Sequence, residues 1–169
     1  KELGTLINYN GYGASIGDLH IAPKELFQRL MHYLSPFELK RDLSSPYYIL
    51  KQGYEADNQF VKSLAPIENS DVSEIYQLPC EAWARRISGV FGNALANQCP
   101  DKAHAVLTLN ENQQNFTVSV RAPLNNRTGA DEVCCQFETG GGRKAAAGIN
   151  ALPIDQIGEF IQVLNHFYK

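Results

Sequence analysis

The sequence predicts an α/β (α+β) fold: a mixed β-sheet of about four or five strands flanked by helices and preceded by a helical segment. Three observations predict it. In residues 1–64, apolar residues recur at helical spacing behind prolines suited to first helical positions. In residues 104–121, two alternating runs flank a polar Asn/Gln turn, as in a hairpin. Helical periods return between and beyond these runs. The second half therefore reads β-α-β-β-α-β-α, an order that packs helices on a mixed sheet.

The elements follow in order. Leu3, Leu6 and Ile7 read as the last turn of a helix, ended by N-Y-N-G-Y-G, a loop with several residues tolerant of positive φ. Pro23 opens a helix through Leu34, with Leu26, Phe27, Leu30 and Leu34 on one face. Ser35-Pro36 starts a short helix. Ser45-Pro46 starts a longer one, where Tyr47, Leu50, Tyr54, Val61 and Leu64 keep helical spacing despite Gly53. Pro66 stops it, and 65–72 reads as a linker dividing a helical segment, 1–71, from a second domain, 72–169. Glu74–Leu78 reads as a short strand. Pro79 and Glu81 begin a helix to about Asn97, with Trp83, Ile87, Val90, Phe91 and Leu95 inward. His104–Leu109 and Phe116–Arg121 form the hairpin. Gly129–Phe137 is a short helix, Ala147–Leu152 a strand, and Ile154–Tyr168 a closing amphipathic helix.

Composition bounds the function classes. The chain has 169 residues, enough for one good core with an appended subdomain, and its 44% hydrophobic content is that of an ordinary globular protein. No apolar run approaches the roughly 18 residues a membrane span needs, and no signal-peptide pattern opens the chain, so no membrane partner is expected. Lys1-Glu2-Leu3-Gly4 lacks an initiator Met and reads as the inside of an element, so a fragment is expected. Cys80, Cys99, Cys134 and Cys135 have no C-x-x-C spacing. Cys134 and Cys135 read as small core-side residues on a helix, and reduced thiols fit a cytoplasmic location. The four histidines are scattered, and the sequence makes no case for a metal bound by this chain alone. The net charge of −3 lacks the clustered Lys/Arg of a strong nonspecific nucleic-acid binder.

The chemistry concentrates between Phe116 and Pro153. Gly140, Gly141 and Gly142 open directly onto Arg143 and Lys144, with Gly148 beyond three alanines. Glycine costs conformational entropy, so three in a row ask for a reason. One is close approach to a ligand, with successive N–H groups cradling an anion and Arg143 and Lys144 gripping phosphate or carboxylate. The other is a surface turn flanked by solvated cations. In F-T-V-S-V-R, Phe116, Val118 and Val120 alternate with Thr117, Ser119 and Arg121, which places Ser119 and Arg121 on the face opposite the core. Asn125, Asn126 and Arg127 would form a pocket rim. Trp83, Arg85 and Arg86 read as packing or covering a helix rather than binding anything.

The series S-V-R at 119–121, A-D-E-V at 130–133 and G-G-G-R-K-A-A-A-G at 140–148 resembles the DHH-associated domain, the C-terminal lobe of DHH-superfamily phosphoesterases. The resemblance covers about residues 72–168. N-Y-N-G-Y-G and D-L-H-x-x-P are similar to the end of the catalytic lobe and the bridging helix of such proteins. Two departures stand out. Thr139 replaces the first of four glycines and Arg143 replaces a following His, so this position grips a phosphate oxygen but cannot share a proton as His does.

The resemblance implies a substrate-recognition lobe that binds a nucleotide, a short oligonucleotide or another phosphate-bearing substrate. Ser119, Arg121, Asn125, Arg127, Gly140, Gly141, Gly142, Arg143 and Lys144 would be the binding residues. It implies a metal-dependent hydrolase as parent, with two divalent ions, commonly manganese, in an N-terminal catalytic lobe that packs on this one. Nothing in residues 1–71 supplies the Asp-His-His motif, so no cofactor and no hydrolytic activity are expected of this chain alone. Two other readings stay open: a stand-alone RNA- or nucleotide-binding module, as the related domain of alanyl-tRNA synthetases suggests, and a module that chiefly forms a homodimer.

Overall fold

Proline sets the start of three helices in the N-terminal third: Pro23, Pro36 and Pro46 each sit in a first helical turn, where a missing N–H costs nothing. The structure is a computed structural model that describes residues 1–169. It divides into two units, residues 1–63 with 82–90, and residues 64–81 with 91–169.

The first unit holds α1 (Glu2–Asn10), α2 (Pro23–Leu30), α3 (Pro36–Arg41), α4 (Pro46–Lys62) and the first half of α5 (Ala82–Gln98). Leu6, Ile21, Leu26, Leu39, Tyr47 and Leu50 form its apolar core. Helix α2 stops at Leu30 rather than Leu34: the Leu34 N–H turns to the Glu38 carboxylate at 2.9 Å, and the Leu34 side chain stays 95% exposed. Phe27, Met31 and Phe37 are exposed as well. Gly53 lies mid-helix because a Cβ there would overlap the His20 ring.

A polar network sits inside this unit. Asp57, on α4, is buried and accepts from Arg86 through Nε at 2.8 Å and Nη2 at 3.0 Å. The Tyr9 hydroxyl gives its single proton to Asp57, so His20 Nε2, 2.7 Å from the phenol oxygen, is the donor there. Arg86 Nη1 also donates to the Asp18 carbonyl at 2.6 Å. Arg85 grips the Asp18 carboxylate through Nε at 2.8 Å and Nη2 at 2.7 Å. Arg85 and Arg86 are thus ion-paired inside the unit, which agrees with their reading as packing residues. Asn10 clamps the chain after this network: its Oδ1 accepts from the N–H groups of His20 and Ile21, and its amide donates to the Ile21 carbonyl.

The second unit is built on a six-stranded mixed sheet of order β1-β2-β3-β4-β6-β5. The strands are β1 (Glu68–Asn69), β2 (Ser73–Leu78), β3 (Ala103–Leu109), β4 (Asn115–Arg121), β5 (Gly140–Arg143) and β6 (Ala146–Pro153). β2 and β3 run parallel, joined by α5, and every other pairing is antiparallel. Two strands exceed the four the sequence spelled out. β1 is two residues long, inside the stretch read as a linker, and β5 is the glycine run itself.

Val118, Val120, Ala147, Ile149 and Leu152 face one side of the sheet. They meet Phe160 and Leu164 of α7 (Ile157–Phe167) and Val133 and Cys134 of α6 (Ala130–Cys134) in one buried core. α6 is shorter than the expected Gly129–Phe137. Cys135 falls just past its end and is exposed, not on the core side as expected. Burial pushes the Cys134 thiol up to about 12.

Two histidines, the buried His104 and the partly covered His20, give the fold a pH dependence with a definite sign. Burial lowers the pKa of His104, on β3, and burial together with the nearby Arg86 charge lowers that of His20. The unfolded chain therefore binds protons that the fold resists. Stability is full above the ordinary value of 6.5 and falls as pH drops through it. A second loss comes at lower pH from Asp18, which the Arg85 hydrogen bonds hold at about 2, below its ordinary 3.8. Melting temperatures should decline between about pH 7.5 and pH 5.5, and a flat profile there would contradict the assignment.

Candidate functional site

Residues directly opposite one another in neighbouring strands point to the same face of a sheet. Arg121 on β4 lies opposite Ala146 on β6, which lies opposite Arg143 on β5. One step along, Ser119 lies opposite Gly148, and Gly148 opposite Gly141. These two rows share the face away from the α6–α7 core. Two strand spacings put the Arg121 and Arg143 backbones roughly 9–10 Å apart. Between them Ala146, Gly148 and Gly141 add almost no side chain. The result is a flat, half-buried floor with a guanidinium on either side.

α5 covers the neighbouring part of this face and leaves the floor open. Phe91 packs edge-on against Tyr76 at 5.0 Å, and Gly92 lies against the Arg121 stem and Val106. Arg121 is held on this ledge. Its Nε donates to Asn93 Oδ1 at 2.8 Å, and Nη1 donates to Ser119 Oγ at 2.9 Å and to the Val120 carbonyl at 3.2 Å. Arg143 is exposed. His104 completes the Arg121 row on β3, fully buried, with Nε2–H donating to the Cys99 carbonyl at 3.0 Å.

The four glycines divide by what they touch. A Cβ on Gly140 would collide with the Cys134 carbonyl of α6. A Cβ on Gly142, at φ +147°, would lie 2.5 Å from Ala147 Cα, and one on Gly148 would lie 2.6 Å from the Val118 carbonyl. A Cβ on Gly141 would meet nothing within 4 Å. Packing accounts for three glycines, and open space remains above the fourth.

The structure brings Ser119, Arg121, Gly141 and Arg143 onto one face. It corrects the expectation of a glycine loop: Gly140–Gly142 form edge strand β5, because α6 and β6 press on the run from two sides. Gly140 and Gly142 alternate away from the floor. Lys144 occupies the two-residue turn between β5 and β6, where its carbonyl accepts from the Ala130 N–H at 3.0 Å. Asn125 and Arg127 lie in the loop after β4, where Asn125 reaches the turn before β3 and Arg127 bonds within the loop. The Asn125 amide donates to Asp101, and Arg127, at φ 57°, donates through Nε to the Leu124 carbonyl at 3.1 Å. The sequence reading missed Asn93; its signal is a polar residue next to Gly92, one residue past the apolar face of α5.

No cluster of three or more His, Cys, Asp or Glu side chains is arranged to hold a metal ion, and no helix is long and apolar enough to cross a membrane.

No family model and no curated protein matches the chain. Solved structures do match. The pGpG-specific phosphodiesterase PggH from Vibrio cholerae superposes with a TM-score of 0.63 at 16% identity, over 90% of this chain and 53% of that one. The manganese complex of RecJ from Thermus thermophilus gives 0.65 at 14% identity, over 98% of this chain and 23% of that one. An exopolyphosphatase-related protein from Bacteroides fragilis gives 0.52 at 14% identity, over 70% of this chain and 35% of that one. The chain spans about half of PggH and a quarter of RecJ. Although that RecJ structure holds manganese, the residues here offer no ligand set for such an ion. The chain shares its fold with the matching parts of PggH and RecJ.

Proposed function

We propose that residues 72–169 form the substrate-recognition lobe of a DHH-type phosphoesterase, holding the phosphate of a nucleotide or short oligonucleotide on the Arg121–Arg143 floor. The observation that carries this reading is the open space above Gly141 between two arginines, one of them fixed by hydrogen bonds. Two guanidiniums suit a phosphate, and a glycine floor lets the ligand approach the backbone. The fold shared with PggH, a pGpG-specific phosphodiesterase, and with RecJ supports a nucleotide-type substrate. Hydrolysis itself would belong to a further lobe of the parent protein. The exposed Phe27, Met31, Leu34 and Phe37 offer an apolar surface for it to pack on.

Arg121→Ala tests the binding role. Loss of a hydrogen bond to a charged partner should weaken binding of inorganic phosphate and GMP by about 1.5–3 kcal/mol. Isothermal titration checks it, and unchanged affinity would overturn the reading. The chain alone, with excess manganese, should give no turnover of a chromogenic phosphoester or a short oligonucleotide. Activity that co-purifies with the chain would contradict the division of labour.

A further inference from the structure

Arg121 is useful to an anion only if its guanidinium stays over the floor, and a free arginine side chain samples many rotamers. Two side chains restrict it. Ser119, its neighbour on β4, takes Nη1, while Asn93 on α5 takes Nε. Nε lies nearest the stem, so an acceptor there fixes the plane of the whole group. Nε is a donor only, so the Asn93 atom facing it must be the carboxamide oxygen. The Asn93 NH₂ nitrogen is therefore not the atom that faces Arg121 Nε. An Asp here would keep the acceptor but would place a negative charge beside the phosphate site.

Asn93 itself is exposed, in the last two turns of α5. Its side chain contributes little to the core. Its backbone carbonyl accepts from the Asn97 side-chain amide at 2.6 Å, and its side-chain oxygen accepts from Arg121 Nε at 2.8 Å. Gly92 beside it lets the arginine stem lie against the helix.

We infer that Asn93 is a positioning residue for phosphate recognition: it orients Arg121 through Nε and selects for anionic ligands by being neutral. This role rests on the phosphate-binding reading of the floor. The test uses the ¹⁵N-labelled chain titrated with GMP, following affinity and the Arg121 Nε–Hε resonance, assigned from its loss in Arg121→Lys. Asn93→Ala should exchange or broaden that resonance and weaken GMP binding about five- to tenfold at an unchanged melting temperature, the effect of one lost hydrogen bond. Asn93→Asp should keep the resonance and still weaken binding. Asn93→Ala combined with Arg121→Ala should bind no more weakly than Arg121→Ala alone. Asn93→Ala that binds like the parent, or that weakens Arg121→Ala further, would overturn this role while leaving the floor intact as a site. Arg121→Ala that binds like the parent would overturn both.

Discussion

Gly140→Ala should destabilise the protein by about 3 kcal/mol or more, while Gly141→Ala, one residue on, should stay within about 1 kcal/mol of the parent. The contrast comes from what lies behind each Cα. At Gly140 the new methyl would run into the Cys134 carbonyl, a backbone atom at the end of α6 that cannot turn aside as a side chain can. β5 would have to leave β6, or α6 would have to lift off the core formed by Val133, Cys134 and Phe160. Gly142→Ala should cost about 2–4 kcal/mol, because φ +147° is strained for any residue with a Cβ and the methyl would also press on Ala147. Urea denaturation followed by circular dichroism separates the three. Equal effects at 140 and 141 would contradict the placement of the glycines in β5.

The second large effect is expected at Asp57. Asp57→Ala leaves two Arg86 nitrogens and the Tyr9 hydroxyl without their acceptor inside the first unit. Removing one partner of a buried ion pair typically costs about 3–5 kcal/mol, since the remaining charge is stranded. Asp57→Asn keeps one acceptor and should cost less. Trp83 is the single tryptophan of the chain and stacks on Phe60 at 4.7 Å, so its fluorescence reports unfolding of this unit. A Trp83 transition that does not move in Asp57→Ala would show the network to be dispensable.

Periodicity made most of the fold legible. The alternation of Phe116–Arg121 placed Ser119 and Arg121 on the correct face, and the helical spacing of Ile157, Phe160, Ile161 and Leu164 marked α7. What the sequence hid depends on long-range contact. Gly140–Gly142 has no side chains from which to read a two-residue period, so only α6 and β6 reveal it as a strand. Helical apolar spacing extends α2 to Leu34, four residues too far, whereas Glu38 captures the Leu34 N–H from the next helix. The same limit applied within the site. Arg121 stood out by motif, but its partner Asn93 lies 28 positions away on a helix, and no local pattern links them. Asn125 and Arg127 look like a rim by composition, yet Asn125 ties its loop to Asp101 before β3 and Arg127 bonds the Leu124 carbonyl within the loop.

The floor above Gly141 is expected to receive a phosphate group, and Gly141→Val blocks that space without removing a charge. A Cβ at this position meets nothing within 4 Å, and β-branched residues suit a strand, so the variant should fold with the parent's melting temperature. Its side chain would fill the space over the floor. In ¹⁵N spectra, GMP or phosphate added to the parent should shift Ser119, Arg121, Gly141 and Gly148, and Gly141→Val should lose this response with at least a roughly tenfold drop in affinity. A folded Gly141→Val that binds GMP like the parent, or parent shifts confined to other parts of the chain, would contradict the account.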